Sequence, residues 1–375
     1  MSRLYTIGSA SSQNPVTAPP LPLGLPSHDP HQESRTRLID AFGRRLTYLR
    51  VSVTDRCNLR CTYCLPEDAE FPFGDRDFLS PAEIETMVGA LVRLGIDRVR
   101  LTGGEPLVRR DILEIVRRVK ALPGVKNLAL STNGTELARL APALKEAGVD
   151  RVNISLDTLD SERFREITRR GDLAKVWEGV EAALDAGLDP VKLNAVLTGE
   201  ESLTDADHLV ALTLDQPLAV RFIEMMPTAA NRYVADTADT AGTAGTAAGH
   251  LPTCDDVRQR VEARYGALEA ADFEYRTGPA KSFRIPGAAG TVGFITPLSH
   301  TFCAECNRLR LSSRGELRLC LFAERNYPLR PCLGAADPGA ALESEILRVL
   351  QEKPAEHMLA QGDYGNLVSF MEIGG

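Results

Sequence analysis

From Leu46 onward the chain repeats two hydrophobic patterns in alternation. Short β-branched runs that end in small or polar residues are each followed by a stretch with apolar residues at helical spacing. Six such runs predict strands, over residues 49–54, 98–102, 127–131, 151–156, 191–197 and 219–225. Helices are predicted between them, for example over 81–94, with Ser80 as N-cap and Gly95 as stop, and over 136–147, with Gly148 as stop. Strands and helices in strict alternation imply an α/β protein with a parallel sheet. Six β-α units closing part of a circle predict a partial (β/α)6 TIM-like barrel, which places its chemistry at the C-terminal ends of the strands. Polar and glycine-rich residues gather there: Gly103-Gly104-Glu105-Pro106 past the second strand, Thr132-Asn133-Gly134 past the third and Asp157 past the fourth.

The pattern also sets the boundaries. Residues 1–35 are rich in Pro, Ser, Gln and His without apolar periodicity, which predicts a disordered N-terminal tail. The barrel then occupies 36–227. An Ala/Thr/Gly stretch over 228–252 reads as a flexible insertion. Residues 253–375 form a smaller α+β unit, with a helix near 255–265 and β-like runs over 290–297 and 309–321.

Composition narrows the function. With 375 residues, 43% of them hydrophobic, the chain can bury a sizeable core. A formal net charge of -8 argues against a nucleic-acid-coating protein but not against a local basic pocket. No apolar run approaches the roughly 20 residues that span a bilayer. The first 35 residues carry no signal-peptide or transit-peptide pattern, so the expectation is a cytoplasmic protein with no membrane or nucleic-acid partner.

Six of the eight cysteines fall into two tight groups, which in a reducing compartment reads as metal or redox chemistry rather than as a disulfide framework. Cys57, Cys61 and Cys64 form a C-x3-C-x2-C run directly after the first strand. Thiolates suit an iron–sulfur cluster or zinc, and a four-iron cluster held by three cysteines keeps one iron open for an exchangeable ligand. Cys303, Cys306 and Cys320 form C-x2-C-x13-C. Zinc competes there, with His300 or Cys332 available as a fourth ligand.

The residues around both groups resemble a known family. C-x3-C-x2-C with an aromatic, Tyr63, before its last cysteine is similar to the signature of the radical S-adenosylmethionine (SAM) superfamily, and Gly103-Gly104-Glu105-Pro106 is similar to its SAM-binding turn. The run Phe302-Cys303-x-x-Cys306-Asn307-Arg308-x-Arg310, continued to Leu319-Cys320-Leu321, resembles the C-terminal cluster motif of the GTP 3′,8-cyclases, the MoaA family of molybdenum-cofactor biosynthesis. The likeness runs from about Arg37 to Cys320, takes in Arg221-Phe222-Ile223-Glu224, and resumes at Gly374-Gly375. The chain departs from the family in its N-terminal tail, its Ala/Thr/Gly insertion, and Ser131 where many relatives have Thr.

The resemblance implies two [4Fe-4S] clusters, the first on Cys57, Cys61 and Cys64 binding SAM and the second on Cys303, Cys306 and Cys320 binding the guanine of GTP. It implies Tyr63, Gly104, Ser155 and Met226 as SAM contacts, and Arg50, Arg100, Ser131, Lys192, Arg308, Leu309 and Arg310 as GTP contacts. Arg50, Gly374 and Gly375 would act at the catalytic centre, the double glycine reaching in from the terminus. The implied lyase reaction cleaves SAM reductively, abstracts hydrogen from C3′ of GTP and joins C3′ to C8, giving (8S)-3′,8-cyclo-7,8-dihydroguanosine 5′-triphosphate. A flavodoxin or ferredoxin as electron donor and a downstream cyclic pyranopterin monophosphate synthase follow as partners, with a homodimer left open. Two rival readings remain at this point: a peptide-modifying two-cluster radical SAM enzyme and a zinc-stabilised, non-catalytic scaffold.

Overall fold

All six predicted strands form, each within two residues of the expected ends: β1 (Tyr48–Ser52), β2 (Arg98–Thr102), β3 (Asn127–Thr132), β4 (Arg151–Ser155), β5 (Lys192–Leu197) and β6 (Ala219–Glu224). The structure is a computed structural model and describes residues 37–71, 74, 77–228, 251–271, 278–359, 365 and 371, all within one folding unit. The expected tail and nearly all of the expected insertion lie outside the described residues.

The helices begin and end where their capping chemistry dictates. The Ser80 hydroxyl accepts from the Glu83 amide at 3.3 Å, and the Glu83 carboxylate accepts from the Ser80 amide at 2.8 Å, so α1 (Pro81–Leu94) opens on a capping box. Gly95, at φ 125°, stops it. The other helices of the barrel are α2 (Ile112–Lys120), α3 (Leu137–Ala147), α4 (Ser161–Thr168), α5 (Leu173–Asp185) and α6 (Glu201–Asp215). Beyond the insertion come α7 (Cys254–Tyr265) and α8 (Pro338–Leu350), with short strands between them.

The strands of the C-terminal residues join the barrel sheet. β9 (Thr291–Ile295) pairs parallel with β6, and β10 (Arg308–Leu311) pairs parallel with β1. The open edges of a six-stranded parallel sheet expose rows of unpaired N–H and C=O groups, and these two strands satisfy them. The parallel core therefore has the order β10-β1-β2-β3-β4-β5-β6-β9. It is extended antiparallel by β11 (Glu316–Arg318) and β12 (Tyr327–Pro328) on one side, and by β8 (Lys281–Arg284) and β7 (Glu269–Ala270) on the other. Among the described residues no ladder joins the two outer ends, so the barrel stays open.

Alternation along the strands divides apolar from polar. Leu49, Val51, Val99, Leu101, Val152, Ile154, Leu309 and Leu311 are buried in the core shared with the helices. From α1, Ile84, Met87, Val88 and Leu91 enter the same core, each contributing roughly 1.5–3 kcal/mol by its burial. The intervening residues, among them Arg50, Arg100, Asn153 and Arg310, face the barrel interior. α8, which the periodicity reading above did not mark, packs on α1 through Leu342, Ile346, Val349 and Leu350.

Candidate active site inside the open barrel

A cavity of about 310 Å³ occupies the barrel interior, and both cysteine groups line it. Cys57, Cys61 and Cys64 reach it from the loop after β1, with the Cys64 amide donating to the Cys61 carbonyl at 2.9 Å. Arg60 holds the loop from within, donating to the carbonyls of Cys57 (2.8 Å) and Leu59 (2.9 Å) while lying 4.6 Å over the Phe71 ring. Arg169, itself at φ 60°, holds it from outside by donating to the carbonyls of Arg60 and Leu65. Burial, reinforced by Glu105, pushes the Cys57 thiol up to about 11, and burial likewise raises Cys61.

The Gly103-Gly104-Glu105-Pro106 turn is locked onto this loop. The Gly104 amide donates to the Thr54 carbonyl and the Glu105 amide to the Arg56 carbonyl, each at 2.8 Å. A Cβ at Gly103 would lie 2.3 Å from the Thr54 carbonyl oxygen, and one at Gly104 2.3 Å from that of Arg56. The two glycines are thus required where one backbone crosses another, in addition to any approach to a ligand. Glu105, only 1% exposed, accepts from the Thr132 hydroxyl (2.7 Å) and the amides of Asn133 (2.6 Å) and Leu107 (3.0 Å). Burial lifts its carboxyl to about 7. Asn133 in turn donates to Asn58 at 2.8 Å, which joins the ends of β1, β2 and β3 into one network. Asp157 does similar work past β4, accepting from the Tyr63 hydroxyl (2.9 Å) and the Val196 amide (2.8 Å), with its carboxyl raised to about 6 by burial.

The second group sits against β10 and β11. Cys303, Cys306 and Cys320 all line the cavity. Arg318, 1% exposed, donates to the carbonyls of Cys320, Leu321 and Ala323 and so shapes the loop behind Cys320. Arg44 does the same for Cys303, whose carbonyl it reaches at 2.9 Å. Burial raises the Cys306 thiol, but the charges of Lys353 and Arg308 outweigh it and bring the group down to about 7. The two candidates for a fourth zinc ligand lie elsewhere. His300 contacts Asp255 at 2.8 Å, and Cys332 packs against the hydrophobic core; neither lines the cavity. All eight cysteines are free thiols. Three soft thiolates in each group, without either proposed fourth donor, match four-iron clusters that keep one iron open.

Between the two groups the interior is strongly basic. Arg50, Arg100, Arg221, Arg308 and Arg310 line the cavity, and Arg151 and Lys192 lie among the cations beneath it. Burial and mutual repulsion bring Arg221 down to about 9, Arg310 to about 10 and Lys192 to about 5. Among the described residues the buried Nε atoms of Arg100, Arg151 and Arg221, the Tyr48 hydroxyl and both amide atoms of Asn153 have no hydrogen-bond partner. Buried donors crowded in this way are costly unless an anion meets them, and guanidinium forks suit phosphate oxygens.

The structure brings together most of the residues singled out above. Tyr63, Gly104, Ser155, Met226, Arg50, Arg100, Ser131, Arg308 and Arg310 all line the one cavity, with Met226 packed against Phe322 and Leu359. Two differ. The Leu309 side chain is fully buried in the helix-facing core, as alternation between two inward arginines requires. Lys192 is not on the cavity wall but two residues below Asn194 on the same strand face, among Arg221, Arg151 and Arg100. Gly374 and Gly375 lie outside the described residues, although Met371 lines the cavity. Sequence reasoning did not single out Tyr48, Asn153, Asn194 or Arg151 as site residues. Their signal was available in the alternation itself, which puts polar residues at every second position of strands that otherwise read as core.

An open parallel barrel with three thiols after its first strand and a Gly-Gly-Glu-Pro turn locked against them defines the radical SAM class of enzymes. The Radical SAM superfamily model matches residues 51–213, and the Molybdenum Cofactor Synthesis C model matches residues 218–359. Among curated proteins the chain is 45% identical to a GTP 3′,8-cyclase of Pelotomaculum thermopropionicum, over 86% of this chain and 96% of the relative. It is 41% identical to that of Geobacter sulfurreducens, over 90% of this chain and 99% of the relative. The chain belongs to the GTP 3′,8-cyclase family. Among solved structures it shares its fold with Streptococcus suis SuiB bound to S-adenosylmethionine, at TM-score 0.54 and 15% identity, over 83% of this chain and 67% of that one.

Proposed function

We propose that this cavity converts GTP to 3′,8-cyclo-7,8-dihydro-GTP, the first step of molybdenum-cofactor biosynthesis. The observation that carries the reading is that both three-cysteine groups and the basic strand faces line one cavity. Cys57, Cys61 and Cys64 would hold the first [4Fe-4S] cluster, and Cys303, Cys306 and Cys320 the second. With SAM bound, the first cluster supplies the electron that cleaves SAM to methionine and a 5′-deoxyadenosyl radical able to take a hydrogen atom.

The chain's own residues bind, orient and shield. Tyr63, Gly104, Ser155 and Met226 hold SAM from the cavity wall. Arg50, Arg100, Arg308 and Arg310 hold the triphosphate and sugar, with Lys192 adding charge from below and Ser131 a hydroxyl. Leu309 contributes by turning its two arginine neighbours inward. The buried barrel interior excludes water and fixes C3′ against C8, which favours ring closure over quenching. Met371 lines the same cavity, and four further residues span at most about 14 Å, which supports a role for Gly374 and Gly375 at the substrate. A flavodoxin or ferredoxin would deliver electrons, a cyclic pyranopterin monophosphate synthase would consume the product, and the cytoplasm would house all three. Among the described residues no helix is long and apolar enough to cross a membrane.

The test is anaerobic reconstitution, a count of iron and sulfide, and dithionite reduction with SAM, with and without GTP. Roughly eight irons per chain and 5′-deoxyadenosine formation that rises with GTP are expected. Zinc in place of iron would favour a structural scaffold, and SAM cleavage indifferent to GTP would favour a different substrate.

A further inference from the structure

Lys353 follows α8 and is only 3% exposed, yet among the described residues the charged and titratable groups acting on it are Cys306, Cys320, Arg44 and Arg308, with no carboxylate. Its ammonium donates to the Leu319 carbonyl, beside Cys320, and to the Arg308 carbonyl at 3.3 Å, two residues past Cys306. One buried cation thus bridges the two segments that carry Cys306 and Cys320. Among the described residues its nearest anionic chemistry is that of Cys306 and Cys320, whose backbone segments it bridges. At the first group two buried carboxylates stand close by, Glu105 on the Asn133 amide and Asp157 on the Tyr63 hydroxyl, together with the Arg60 guanidinium on the Cys57 carbonyl. A buried charge without a counter-ion is expensive, so its retention calls for an anion at that place.

We propose that Lys353 is a positioning residue for the second cluster, its ammonium serving as the buried counter-charge that sets the cluster's reduction potential. The inference rests on the reading that Cys303, Cys306 and Cys320 hold that cluster. Reduction adds an electron to an already anionic body, and a fixed positive charge nearby in a low-dielectric site favours the reduced form. Neutralising Lys353 therefore lowers the potential of the second cluster.

The experiment uses the full chain with Cys57, Cys61 and Cys64 replaced by alanine, so that only the second cluster assembles. Iron is counted first; about four irons per chain establish the underlying reading, and none would refute that reading rather than the role of Lys353. The cluster is then titrated against redox potential with its EPR signal as readout. Lys353→Gln keeps an amide that can donate to both carbonyls but carries no charge, and Lys353→Arg keeps the charge. The expected result is a Lys353→Gln potential lower by at least tenfold in the reduction equilibrium, about 59 mV for one electron, with Lys353→Arg near the unsubstituted value. Iron retained by Lys353→Arg but lost from Lys353→Gln would also support the charge. An unshifted potential in an iron-loaded Lys353→Gln chain, or loss of iron from both variants, would overturn it and leave Lys353 a packing clamp.

Discussion

Glu105 shows how much of this site depends on single buried residues. Its carboxylate ties the turn after β2 to the end of β3, and removing it strands the Thr132 hydroxyl and the Asn133 amide. Glu105→Ala is expected to cost on the order of 2–3 kcal/mol in urea unfolding of the cluster-free protein. The pH sign follows from its raised pKa. The folded state holds this proton more tightly than the unfolded chain, so the contribution of Glu105 is fully present below about pH 4.5 and is lost as pH rises through about 7. The difference in unfolding free energy between the parent and Glu105→Gln should accordingly fall by roughly 3 kcal/mol across that window. Lys192 has the reverse sign. Depressed to about 5, it is neutral in the folded protein at pH 7 and charged in the unfolded chain, so its contribution to stability rises with pH above about 5. A bound triphosphate would restore its charge. GTP binding near pH 7 should then take up close to one proton, measured as a calorimetric heat that varies with the ionisation enthalpy of the buffer, and Lys192→Met should abolish that uptake.

At the scale of elements, the cysteine spacing and the strand ends could be read directly, because metal ligands and helix stops are local signals. Ser80, Gly95 and Gly148 bound their helices as expected for the same reason. The partners of the strands at the two barrel edges could not be read. Nothing local in Thr291–Ile295 or Arg308–Leu311 says that one will lie beside β6 and the other beside β1; that is decided by which edges remain unpaired once the first six strands have formed. The role of the glycine pair was likewise only half legible, since the crossing of Gly103 and Gly104 over the backbone of 54–56 is a long-range contact. Gly104→Ala tests it. The added methyl would meet the Arg56 carbonyl oxygen and push the turn off the Cys57 loop. Iron after reconstitution should fall from about eight to about four per chain, with the second cluster intact.

At the scale of the whole molecule, the barrel concentrates buried cations inside a chain whose net charge is -8. The acidic exterior keeps general polyanions away, and only a ligand small enough to enter meets the basic interior. The proposed function also gives Gly374 and Gly375 a role at the site, although they lie far in sequence from both cysteine groups. Deleting Gly375, or extending the chain by one residue, is expected to abolish turnover while leaving roughly eight irons bound, as read by iron content and single-turnover assay. On the proposed function, the radical generated at the first loop reaches C3′ of a GTP held by the second group and the strand-borne arginines. GTP deuterated at C3′, incubated with reduced enzyme and SAM, tests it most directly. Deuterium should appear in 5′-deoxyadenosine in step with product formation; 5′-deoxyadenosine that forms without the label would contradict it.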